Sequence, residues 1–69
     1  MLIRLENPSK VDDLCLHYER SGFVAERVGT TAVKVRQPDA PTGTDERVAI
    51  RMHLCVWNLS NPDTVTRLN

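Results

Sequence analysis

The chain has 69 residues, enough for one domain spanning 1–69 and too few for two, and 41% of them are hydrophobic against 26% charged, an ordinary globular balance. Nine basic residues offset nine acidic ones, which removes the excess positive charge that nucleic acid or an anionic membrane surface normally requires. No stretch approaches the ~20 apolar residues of a membrane span, and Arg4 and Glu6 interrupt the start too early for a signal peptide, so a cytoplasmic setting is expected.

Leu2 to Leu5 reads as a short strand, followed by a helix start in which Asn7 caps with Pro8 at the first helical position, or Ser9 caps instead. Val11, Leu14, Cys15 and Tyr18 then recur at helical spacing, Asp12 and Asp13 favour the first turn, and Ser21-Gly22 ends the helix. Phe23 to Val28 and Thr31 to Arg36 are rich in β-formers around Gly29-Thr30 and predict a hairpin. Gln37 to Thr44 holds two prolines and a glycine and predicts an exposed loop. Thr44 or Asp45 would cap a second helix running to about Ser60, where Asn61-Pro62 stops it.

Residues 61–69 form either a last strand or a tail. The order predicts an α+β domain of the ferredoxin-like kind, βαββα(β), with an antiparallel sheet and two helices on one face. Without the last strand the same logic leaves three strands and two helices.

Cys15-Leu16-His17 and His53-Leu54-Cys55 look like mirrored halves of a zinc site. Residues two apart on a helix diverge by about 200°, so the cysteine and histidine of each triplet point away from one another. No metal is expected, and both cysteines are read as reduced thiols packed on the core side of their helices. His17 can pair with Asp13 at i, i+4. His53 has no acidic or nucleophilic companion at helical spacing, and the glycines at 22, 29 and 43 are isolated, so neither a catalytic set nor a cofactor loop is expected.

In the hairpin, Val33 and Val35 should face the helices, sending Lys34 and Arg36 to the open sheet face with Arg4. The strands place no aromatic ring there for base stacking, so a solvated face is expected and nucleic acid is not.

The second helix carries two apolar stripes. Val48, Met52, Cys55 and Leu59 are assigned to the core, which leaves Ile50, Leu54 and Trp57 as a partner-binding stripe about half a turn away. Tryptophan on an apolar patch is a common interface anchor. The expected function is a protein-interaction or oligomerisation module, most simply a homodimer.

The segments Glu6-Asn7-Pro8-Ser9-Lys10-Val11 and Ser21-Gly22-Phe23-Val24 resemble the first strand, turn and helix of ACT-type regulatory domains. That likeness implies the alternative of a regulatory small-ligand site near the Asn7 to Lys10 turn, with Ser9 where those domains carry a ligand-contacting glycine. Phe23 to Pro41, together with the Trp57 helix, is similar to small uncharacterised actinobacterial proteins, which implies the same architecture and a cytoplasmic setting.

Overall fold

A computed structural model describes residues 1–68. In chain order it contains β1 (Leu2–Leu5), a 3-10 turn (Pro8–Lys10), α1 (Val11–Arg20), β2 (Val24–Val28), β3 (Ala32–Arg36), α2 (Gly43–Ser60) and β4 (Thr66–Leu68). All three strand pairings are antiparallel, and the four strands lie in the order β2-β3-β1-β4. The chain is therefore an α+β domain with the ferredoxin-like strand order, and the end of the chain supplies the last strand. Asn69, within the expected strand, lies outside the described residues.

Local chemistry accounts for most element ends. Asn7 Oδ1 accepts from the Ser9 amide at 3.1 Å and starts the 3-10 turn, with Pro8 in its first position. Gly22, at φ +88°, takes the left-handed conformation past the end of α1 that a side chain would resist. Gly29, at φ +67°, does the same in the hairpin. The hairpin connection is one residue longer than Gly29-Thr30, because the Thr31 carbonyl accepts from the Leu5 amide on β1 at 2.8 Å and is drawn out of the β2–β3 ladder.

α2 begins earlier than either expected cap. Thr42 Oγ1 accepts from the Asp45 amide at 3.1 Å and donates to Asp45 Oδ2 at 2.8 Å, a reciprocal cap that outcompetes Thr44 and Asp45 as starting points.

One face of the sheet carries the core. Ile3 and Val33 sit opposite each other in the register, and with Leu5 and Val35 they meet Val11, Leu14 and Tyr18 of α1 and Ile50, Leu54 and Trp57 of α2. Val33 and Val35 thus face the helices, while Arg4, Lys34 and Arg36 are exposed on the other side.

The assignment of the α2 stripes is corrected. Ile50, Leu54 and Trp57, expected to bind a partner, are 0%, 5% and 3% exposed and belong to the core of this chain. Val48, Met52, Cys55 and Leu59, expected in the core, face outward, with Met52 64% and Leu59 82% exposed. The reason is tertiary: both stripes are apolar, but the inward one lets Tyr18 Oη donate to the Ile50 carbonyl and Trp57 Nε1 donate to Asp13 while the indole fills the core.

The cysteines are corrected with the stripes. Cys55 is exposed, Cys15 is half-buried beside the core, and both are free.

Candidate functional site

Two regions of α2 are candidates, the groove it shares with α1 and its outward face. The groove encloses about 270 Å³ and is lined by residues that include Asp13, His17 and Arg20 of α1 and Val56, Trp57 and Asn61 at the end of α2. Its polar groups are largely engaged with one another. Trp57 Nε1 donates to Asp13 Oδ2 at 2.9 Å, and Asn61 Nδ2 donates to the Trp57 carbonyl at 3.0 Å. His17 Nε2, 3.0 Å from the His53 carbonyl, must donate, since a carbonyl only accepts.

Beneath the groove lies an aromatic cluster. Tyr18 meets Phe23 edge to face at 5.2 Å between centroids, and Phe23 meets His53 the same way at 4.9 Å. The rings of His17 and His53 lie 5.8 Å apart, a meeting across the two helices that spacing within either helix did not reveal. Tyr18 Oη donates to the Ile50 carbonyl at 2.7 Å, so a side chain of α1 is bonded to the backbone of α2 inside the core.

Two nucleophilic groups near the groove are held in their protonated forms. Burial pushes the Cys15 thiol up, and Glu19 and Asp12 push it further, so the thiolate is disfavoured. Burial also pushes the Tyr18 phenol well above its usual range, with Cys55 adding to the shift. Among the described residues no three histidine, cysteine, aspartate or glutamate side chains are grouped to hold a metal ion. At the Asn7 to Lys10 turn, Ser9 Oγ donates to Asn7 Oδ1 at 2.7 Å, so the side chains the ACT-type likeness singles out are bonded to each other.

The open sheet face carries a fourth basic residue beyond the three read from sequence, and one acidic residue among them. Arg67 on β4 lies directly opposite Arg4 in the register, and Lys34 lies opposite Glu26. Val24 and Val28 are exposed among these charges. Arg67 was missed because its strand is only three residues long.

The outward face of α2 is the most distinctive surface. Val48, Met52, Cys55, Val56 and Leu59 are all exposed and span three turns. At about 100° per residue they centre on the side of the helix diametrically opposite Ile50, Leu54 and Trp57. Asp45 continues the stripe at its N-terminal end, and Arg51 lies along one flank.

Searches against protein-family models, curated proteins and solved structures match nothing to this chain. Among the described residues no helix is long and apolar enough to cross a membrane. The functional reading rests on the site itself.

Proposed function

We propose that this protein is a non-catalytic interaction module that works by self-association through the outward face of α2. The observation that carries this reading is the set Val48, Met52, Cys55, Val56 and Leu59, exposed on a helix whose opposite side already fills the core. A helix at the surface of a domain needs one apolar stripe, and a second, contiguous one left in water is the kind of patch that marks an interaction surface. Size adds to the case, since a domain this small hides only about 60% of the surface its unfolded chain exposes and gains from covering more. The same proposal places it in a reducing, cytoplasmic compartment, which suits an exposed free Cys55.

The test is sedimentation across a concentration series for wild type, Met52→Glu and Leu54→Glu. Wild type is expected to associate at micromolar concentration. Met52→Glu should stay folded and monomeric, because it puts a charge only on the outer face. Leu54→Glu should unfold, because it puts the charge in the core. Wild type that remains monomeric at high micromolar concentration rules the reading out.

A further inference from the structure

Resting on that reading, we infer that the occupant of the outer α2 face is α2 of a second copy, packed antiparallel about a two-fold axis between Met52 and Cys55. Four of the exposed residues, Val48, Met52, Cys55 and Leu59, are separated by four, three and four positions. That alternation keeps the four side chains in one seam along one side of the helix, which a second copy of α2 can match layer for layer. Ile50 and Trp57 fall at the position of the repeat farthest from the seam, so α2 presents one ridge to its own core and another to a neighbouring helix.

Residue size and charge choose the direction. Antiparallel pairing sets Leu59 against the partner's Val48 and Met52 against the partner's Cys55, so every layer combines a long side chain with a short one and all layers fill similarly. On one flank Arg51 meets the partner's Asn58, and no like charges face each other. Parallel pairing would stack Met52 on its own copy and Cys55 on its own copy, giving one crowded and one thin layer. It would also bring Asp45, which continues the seam at the start of α2, against the partner's Asp45. The antiparallel arrangement further sets the two helix dipoles head to tail.

Disulfide trapping tests the direction. Two variants are made in a Cys15→Ala, Cys55→Ala background, one carrying Val48→Cys and the other Leu59→Cys. In the antiparallel pair each new thiol lies about 16 Å along the helix from its own copy and beside the other variant's thiol. Under mild oxidation neither variant alone should form a linked dimer, while an equimolar mixture should form one containing one chain of each. Efficient linking within either variant alone overturns the antiparallel arrangement and leaves self-association through α2 standing. No linking in any sample, with wild type still associating in the centrifuge, puts the contact on another face and overturns the inference. Wild type that never associates fails the underlying reading instead, so the two failures are distinct.

Discussion

The indole of Trp57 donates a 2.9 Å hydrogen bond to the carboxylate of Asp13, 44 positions earlier in the chain. It fastens the C-terminal part of α2 to the first turns of α1, and it leaves the polar edge of the indole satisfied while the ring fills the core. The bond also shows why Trp57 is not free to anchor a partner.

Replacing Asp13 with alanine is expected to cost about 1 kcal/mol, because the bond is charge-assisted but water can reach its acceptor. In a domain of this size that lowers the melting temperature by roughly 4 to 8 °C. Asp13→Asn, which keeps an oxygen acceptor, should recover part of the loss. Thermal unfolding followed by tryptophan fluorescence measures both, and an Asp13→Ala protein as stable as wild type would show the contact to be energetically idle.

Tyr18 makes a different kind of tie, with a pH signature. Its phenol is held protonated by burial, so its folded pKa lies above the unfolded value of about 10. Below pH ~10 both states keep the proton and the stabilisation is present in full. As pH rises further the unfolded phenol ionises while the folded one does not, so the unfolded state binds fewer protons and stability falls. Urea unfolding between about pH 8 and about pH 11.5 should show wild type losing more stability than Tyr18→Phe. At the lower pH the variant should be less stable by about 1 kcal/mol, having lost the bond to the Ile50 carbonyl. Parallel losses in the two proteins at high pH would contradict the assignment.

On the open sheet face, Arg4 and Arg67 oppose each other across β1 and β4. Like charges in direct cross-strand register destabilise a sheet, and an opposite pair contributes roughly 0.2 to 1 kcal/mol. Arg67→Glu is therefore expected to raise stability at low salt, with the gain shrinking at ~1 M salt as screening sets in. A variant less stable than wild type at low salt would mean that the two guanidinium groups do not repel in the folded protein.

Much of this protein was decided locally and is legible in the sequence. Asn7-Pro8, Ser21-Gly22 and Gly29 act through backbone geometry within a few residues, and the alternation of Val33 and Val35 with Lys34 and Arg36 carries the two faces of β3 without reference to anything distant. The order of elements then led to the strand arrangement through a right-handed crossover and a returning hairpin. Which side of α2 turns inward was not legible, because both sides are apolar and helical spacing is blind to phase. Only tertiary packing separates them. The space between α1 and the sheet accepts Ile50, Leu54 and Trp57 together, with Asp13 waiting for the indole and Tyr18 reaching the Ile50 carbonyl, and those contacts span more than thirty positions in the chain. The same packing turns Val48, Met52, Cys55, Val56 and Leu59 out to solvent.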